Sequence, residues 1–294
     1  SSCHTLSKVP VARESEAMKH VELVGGEKVP ALGLGTWKMG VGSPDEAAQL
    51  RALQTGIAQG MTLIDTAEMY GDGRSEQLVA KAIAGKRNKI FLVSKVLPQN
   101  ASRQGTVKAC EASLRRLNTD VLDLYLLHWR GSHRLADTFA AFEALKAAGK
   151  IRHYGVSNFD VDDLEDLHAE VPKNSCAANQ VMYNLSDRGI EWDLYPKCSK
   201  EKMAVIAYCP LGQGSLIDNP GLAPIARKHN VTNAAIALAF TLRLPGMISI
   251  PKSSHEKRIL ENAAAAGVVL DAEDLKSLDR IFPPPRGKIP LAIT

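Results

Sequence analysis

A short, near-continuous apolar run followed by an amphipathic stretch recurs eight times between Leu32 and Ala265. Strands that are apolar along their whole length need cover on both faces, and parallel neighbours need a long crossover, normally a helix. The spacing predicts strands at Leu32–Gly35, Leu63–Ala67, Ile90–Val96, Leu122–His128, Tyr154–Ser157, Ala178–Val181, Val205–Tyr208 and Ile248–Pro251. Helices are expected at Asp45–Gln59, Ser75–Ala84, Ser102–Leu117, Asp137–Ala148, Asp160–Ala169, Ile190–Glu201, Asn233–Leu244 and His255–Ala265, with a shorter one near Leu222–Lys228. Such stretches open at Ser, Asp or Thr and often stop at Gly, as helix caps do. Eight strands, each with its helix, close into a (β/α)8 TIM barrel of the α/β class. Alternating text around Gly25-Gly26 adds an N-terminal β-hairpin, and Ala272–Ile281 adds an extra C-terminal helix. A doubly wound sheet would alternate in the same way but commonly carries GxGxxG after its first strand. Here Gly33-Leu-Gly35 runs into Thr36-Trp37, Gly212-Gln-Gly214 lacks the third glycine too, and no GxxxxGK[ST] loop occurs.

The 294 residues suit one such domain over 18–294. Residues 1–17 are polar and aperiodic, and read as an added segment, a misassigned start or a flexible arm. Hydrophobic residues at 45% and charged ones at 23% supply a core and exclude a disordered or collagen-like chain. Thirty-six Lys and Arg against 32 Asp and Glu, with no long single-sign run, leave no footprint for nucleic acid or a membrane surface. A small-molecule partner is expected. The five cysteines, Cys3, Cys110, Cys176, Cys198 and Cys209, show no zinc spacing and read as reduced thiols of a cytoplasmic protein. No apolar run reaches about 18 residues, and the first twenty lack the apolar centre of a secretory signal.

In a barrel of this kind the chemistry sits where strands end and βα loops begin. Polar residues stand there in Asp65 and Tyr70, Lys95, His128 and Trp129, Ser157-Asn158, Asn179-Gln180, Tyr208 and Lys252. Asp65, Lys95, His128 and Ser157 succeed one another at about 30 residues, one βα unit each, which puts them on one rim. A lysine at the end of an apolar strand is costly to bury unless paired, and Asp65 on the adjacent strand is the expected partner. Tyr70 can fold back over the barrel mouth beside Lys95. A neighbouring ammonium favours phenolate, so a phenol pKa below its ordinary value near 10 is expected, suiting Tyr70 to protonate a carbonyl oxygen that His128 orients. Singly, each of these is more often a satisfied structural group, and Tyr70-Gly71 can be ordinary turn chemistry. Three ionisable groups at consecutive strand ends have no packing reason to be there together.

The segments Gly35-Thr-Trp37, Asp65-Thr-Ala-Glu-Met-Tyr70-Gly, Val-Ser-Lys95-Val, Asp-Leu-Tyr-Leu-Leu-His128-Trp, Gly-Val-Ser157-Asn158-Phe, Asn-Gln180-Val, Tyr208-Cys-Pro-Leu-Gly and Ile-Pro251-Lys252-Ser together resemble the aldo-keto reductase family. The match runs from about Val21 to Pro284 and is nearest to short bacterial reductases of the methylglyoxal and aldehyde type. The resemblance implies NADPH-dependent reduction of small aldehydes, 2-oxoaldehydes or ketones to alcohols. Its catalytic tetrad would be Asp65, Tyr70, Lys95 and His128, with Tyr70 as general acid. It implies an NADPH/NADP+ site without a Rossmann domain, the carboxamide held by Ser157, Asn158 and Gln180 and the ring stacked on Tyr208. Further cofactor contacts would come from Gly35, Thr36, Trp37 and Asp65, from Cys209, Pro210, Leu211 and Gln213, and from Ile250 and Pro251. Lys252, Ser253, Ser254 and Arg258 match the pocket for the 2′-phosphate, and Glu261 and Asn262 the adenine contacts. A phosphate monoester suits that mixture of point charge, guanidinium fork and helix start, although Lys-Ser-Ser-His-Glu-Lys-Arg also reads as a solvated, capped helix start.

Cys209 departs from the serine common among relatives. The segments Trp129–Asp137 and Gly212–Gly221 and the tail Pro283–Thr294 are short, which favours small aldehydes over steroid-sized substrates. Trp37 and Trp129 are expected to wall the substrate pocket beside Tyr70 and His128, ordinary core packing being the alternative. A monomer is expected from the family. Three other readings stay open on residues alone: an aldolase-like lyase using Lys95 as a Schiff-base nucleophile, a cofactor-binding regulatory subunit with little turnover, and a metal-dependent hydrolase, for which the strand ends offer one His and one Asp.

Overall fold

The structure is a computed structural model that describes residues 18–294. The expectation for residues 1–17 lies outside the described residues. Strands β1 (His20–Glu22) and β2 (Lys28–Pro30) pair antiparallel, His20 opposite Pro30, around a turn in which Gly25 and Gly26 have φ of 100° and 88°. Two successive left-handed residues make this turn the work of glycine.

Eight parallel strands follow: β3 (Leu34–Gly35), β4 (Leu63–Asp65), β5 (Phe91–Val96), β6 (Leu122–Leu127), β7 (Ile151–Ser157), β8 (Ala178–Met182), β9 (Ala204–Tyr208) and β10 (Met247–Ser249). They hydrogen-bond in chain order. Leu32 pairs in parallel with Ser249, Gly33 N donates to Ser249 O at 2.8 Å, and Ser249 N donates to Ala31 O at 2.7 Å. First and last strands therefore join, and the sheet closes into the (β/α)8 barrel that the alternation predicts.

The outer layer consists of α1 (Glu46–Ala58), α2 (Arg74–Ala82), α3 (Arg103–Leu117), α4 (Leu135–Ala147), α5 (Val161–Glu170), α6 (Leu194–Lys200), α7 (Ala223–Lys228), α8 (Asn233–Thr241) and α9 (Glu256–Ala263), with α10 (Ala272–Ile281) as the extra C-terminal helix. Ser102 caps α3 through Gly105 N, and Asp160 and Asp271 build capping boxes on α5 and α10. The stretch expected as one helix over 190–201 splits into a 3-10 turn, Gly189–Glu191, and α6. Pro196 explains the break, because a residue without an N–H is tolerated only in the first turn. Pro245 likewise ends α8 before Leu244.

Strand β7 starts three residues earlier than its apolar run, at Ile151. Its polar pair Arg152-His153 faces the rim opposite the strand ends. There Arg152 lies 3.2 Å from Asp123, His153 lies 2.6 Å from Glu27 of the hairpin, and buried Asp123 also takes Arg87 Nη2 and Leu92 N at 2.8 Å each. These contacts stopper that rim with the hairpin. Among the described residues no helix is long and apolar enough to cross a membrane.

Packing between strands is tightest at Gly155, where an added Cβ would meet Ala178 O at 2.3 Å and Leu126 Cδ2 at 3.0 Å. A carbonyl in the ladder cannot step aside as a side chain can. Gly155→Ala is expected to cost about 2 kcal/mol or more of folding stability, read as a lowered urea midpoint at unchanged slope. A midpoint equal to that of the parent would contradict this account of the strand approach.

Candidate active site

Asp65 ends β4, and Lys95 is the last residue but one of β5, so two adjacent strands deliver opposite charges to one rim. Lys95 is 0% exposed, a burial an ammonium tolerates only if its protons are pledged. All three are: Nζ donates to Asp65 Oδ2 at 2.8 Å, to Thr66 O at 2.9 Å and to Tyr70 Oη at 3.2 Å. The other carboxylate oxygen of Asp65 accepts from Gln180 Nε2 on β8 at 2.7 Å, across the barrel. Burial pulls the Lys95 pKa down, but Asp65 and Tyr70 outweigh it and hold the ammonium above its ordinary value. A Schiff-base nucleophile needs the reverse, a neutral amine.

Tyr70 sits in the loop between β4 and α2, its ring edge-on to His128 with centroids 5.8 Å apart. The expectation of a lowered phenol pKa is overturned. Burial raises it, and although Lys95 pulls it back down, Asp65 adds to the rise and the balance lies above 10. The sequence shows the neighbouring charge but not the loss of water around the ring. Tyr70 therefore keeps its proton at neutral pH, and because Oη accepts from Lys95, its own O–H stays free to donate.

His128 follows β6 directly. Burial, and then the Lys95 charge, push its pKa down to about 3, so the imidazole is neutral at physiological pH. Its Nδ1 is buried without a hydrogen-bond partner. Asn158 frames this side of the site: at φ 58° its Nδ2 donates to His128 O at 3.1 Å and its Oδ1 accepts from Tyr208 Oη at 2.8 Å. Ser157 Oγ is committed to Gln180 O at 2.8 Å.

These groups open onto one cavity of about 670 Å³, within the range of small-molecule sites. Gly35, Thr36, Trp37, Asp65, Tyr70, His128, Trp129, Ser157, Asn158, Gln180, Tyr208, Cys209, Pro210, Leu211, Gln213, Ile250, Pro251, Lys252 and Arg258 all line it. Lys95 lies directly beneath, while Ser253, Ser254, Glu261 and Asn262 lie outside the lining. The sequence reading missed Lys38, Met69, Arg130, Gly214, Ile217, Ile293 and Thr294, which also line it. Lys38 and Met69 flank Trp37 and Tyr70 and were within reach of the same argument; Ile293 and Thr294 belong to a tail with no periodicity to place it.

At one end of the cavity Lys38, Lys252 and Arg258 converge, and among the described residues none forms an ion pair. Desolvation, then Lys38 and Arg258, push the Lys252 pKa down. Three unpaired cations sharing one wall fit an anion with several charged oxygens, as a phosphate has. Gly35, which also lines the cavity, packs against the end of the last strand, where a Cβ would meet Ile250 O at 2.7 Å. The residues present thus suit a phosphorylated cofactor. Among the described residues no group of three or more His, Cys, Asp or Glu could hold a metal.

The sequence model of the aldo/keto reductase family matches residues 31–282. Methylglyoxal reductase YeaE of Escherichia coli is 47% identical over 278 residues, spanning 93% of this chain and 98% of that protein. Glyoxal reductase of Bacillus subtilis is 37% identical over 263 residues, spanning 89% and 92%. An aldo-keto reductase from Klebsiella pneumoniae, solved in complex with NADPH, superposes with a TM-score of 0.91 at 45% identity, over 94% of this chain and 99% of that one.

The lowered His128 pKa makes a linkage prediction. Between pH 6.5 and about 3 the unfolded chain binds a proton at this histidine that the folded chain refuses, so stability falls as pH falls through that window. His128→Asn is expected to flatten this acid limb by up to one proton, measured as urea midpoint against pH; an unchanged limb would show that the imidazole titrates normally in the fold.

Proposed function

The chain belongs to the aldo/keto reductase family, and from that premise we propose that it reduces small aldehydes, 2-oxoaldehydes of the methylglyoxal type and related ketones to alcohols, Tyr70 giving the proton. It is an NADP-dependent oxidoreductase. The observation that carries the mechanistic reading is the Lys95 contact to Tyr70 Oη at 3.2 Å, which leaves the phenolic O–H unpledged on the wall of the cavity that His128, Trp37 and Trp129 also line. When bound, NADPH supplies the hydride for the carbonyl carbon.

Tyr70 donates its proton as negative charge develops on the carbonyl oxygen. Lys95 stabilises the phenolate left behind, and Asp65 keeps Lys95 cationic while it does so. Neutral His128 offers an N–H to the same oxygen and so orients the carbonyl without competing as an acid. Lys38, Lys252 and Arg258 would hold a phosphate of the cofactor, with Arg258 supplying a fork and the lysines point charge. Gln180, Asn158 and Ser157 would hold the carboxamide of the cofactor and Tyr208 would stack on its ring. Met69 and Trp129, 38% and 37% exposed, stand at the mouth and present an apolar wall to the substrate.

Purified protein is expected to oxidise NADPH with methylglyoxal and a panel of small aldehydes, with NADPH quenching tryptophan fluorescence. Quenching without turnover would favour the regulatory reading. Tyr70→Phe should lower kcat by about 10²-fold or more and leave NADPH affinity within about threefold; full activity in that variant would sink the proton-donor role. Lys252→Ala or Arg258→Ala should raise KM for NADPH about tenfold, as loss of a charge-assisted contact does, with little change for NADH. Equal losses with both cofactors would argue against a phosphate contact at these residues.

A further inference from the structure

The loop that carries Tyr70 is a succession of turns, Tyr70 N donating to Ala67 O at 3.1 Å, Asp72 N to Met69 O at 3.3 Å and Arg74 N to Gly71 O at 3.1 Å. Gly71, Asp72 and Gly73 in succession have φ of 59°, 53° and 85°, a left-handed run that the two glycines adopt without strain. At the near end Thr66 O is held by Lys95 at 2.9 Å. At the far end stands Ser75, the second residue of α2, wholly buried. Its N–H donates to the carbonyl oxygen of Tyr70 at 3.2 Å. Its Oγ accepts from Thr66 Oγ1 at 3.1 Å and donates to Thr36 Oγ1 at 2.8 Å, and Thr36 Oγ1 donates to Asp65 O at 2.8 Å. Three hydroxyls at 0% exposure thus run in one direction, from the start of the Tyr70 loop through α2 to the ends of β3 and β4.

Helix formation does not account for the Ser75 hydroxyl. Gly73 is the N-cap of α2, and no side chain caps that end. Alanine is the better helix former, and a buried hydroxyl is tolerated only when bonded. The adjacent Glu76 makes a similar tie to β5: Oε1 accepts from Ser94 Oγ at 2.6 Å, one residue before Lys95, and Oε2 accepts from Arg116 Nε of α3 at 2.5 Å. The start of α2 is therefore fixed to β3, β4 and β5 together, the strands whose ends carry Thr36, Asp65 and Lys95.

We propose that Ser75 is a positioning residue: its hydroxyl, the middle link of the Thr66–Ser75–Thr36 chain, holds the Tyr70 loop at its distance from Lys95 and so governs the rate of proton transfer rather than cofactor affinity. The proposal rests on the reading of Tyr70 as proton donor. It touches neither substrate nor cofactor, because Ser75 lies outside the cavity lining. An ångström of slack at a reacting group can cost up to about 10²-fold in rate, whereas the cations that hold phosphate sit on other elements.

The test uses the full chain with NADPH and an aldehyde from the panel on which it turns over. Ser75→Ala is expected to lower kcat about tenfold with the NADPH dissociation constant, read by tryptophan quenching, within about twofold. The alkaline limb of kcat should move to higher pH, since a phenol drawn away from Lys95 loses the ammonium that eases its ionisation. Ser75→Thr, which keeps the hydroxyl, should recover most of the rate. Thr66→Val breaks the same chain one link earlier, and the double variant should be no slower than Ser75→Ala alone. A Ser75→Ala enzyme with the parent kcat and an unmoved limb would overturn the proposal, as would a loss matched by an equal loss of NADPH affinity. Tyr70→Phe run alongside separates the failures: if it stays active the proton-donor reading falls and this proposal with it, whereas an inactive Tyr70→Phe beside a fully active Ser75→Ala sinks the Ser75 role alone.

Discussion

One buried charge pair organises the mouth of this barrel. An ammonium cannot sit at 0% exposure unless every proton has an acceptor, and meeting that demand at Lys95 fixes the places of Asp65, Thr66 O and Tyr70 Oη at once. Asp65 in turn reaches Gln180 on β8, so the pair ties two distant parts of the strand ring. The same charge lowers the His128 pKa beyond what burial alone does. Five polar groups on three strands or the loops that follow them, Asp65, Thr66 O, Tyr70, His128 and Gln180, thus take their position or protonation state from one lysine.

Much of this was legible in the sequence, for a physical reason. Apolar strands broken by a charge at a fixed end are costly, so Asp65, Lys95 and His128 stand out against Leu, Ile and Val, and their spacing by one βα unit places them on one rim. The barrel follows from the same alternation. What could not be read depends on solvent exclusion and on loops. The Tyr70 pKa is raised rather than lowered because water is missing around the ring, which no neighbour in the sequence announces. Ser75 reads as a helix start, and its hydroxyl takes meaning only when Thr36 and Thr66 arrive from other strands. The early start of β7 was hidden because Arg152 and His153 are polar, paired as they are with Asp123 and Glu27.

Buried charge by itself does not mark a site, and the two rims make the contrast. Asp123 at the hairpin rim is nearly as buried as Asp65, yet two arginines and a backbone N–H use up its oxygens. At the opposite rim the pairing is complete as well, but it ends on a phenol whose proton remains available. Nearby, Lys38, Lys252 and Arg258 repel one another without an anion among the described residues. One rim is electrostatically closed; the other is poised to accept charge.

That separation bears on how the molecule can change over evolutionary time. Among the described residues, the hairpin's ion pairs with β7 and those of Asp123 on β6 involve none of the residues lining the cavity. Substitutions at sites without common partners combine additively. Loops at the mouth can therefore be exchanged, lengthened or recoloured with new side chains while the stoppered end preserves the fold, and a lineage built on this frame can explore new substrates without renegotiating its foundation.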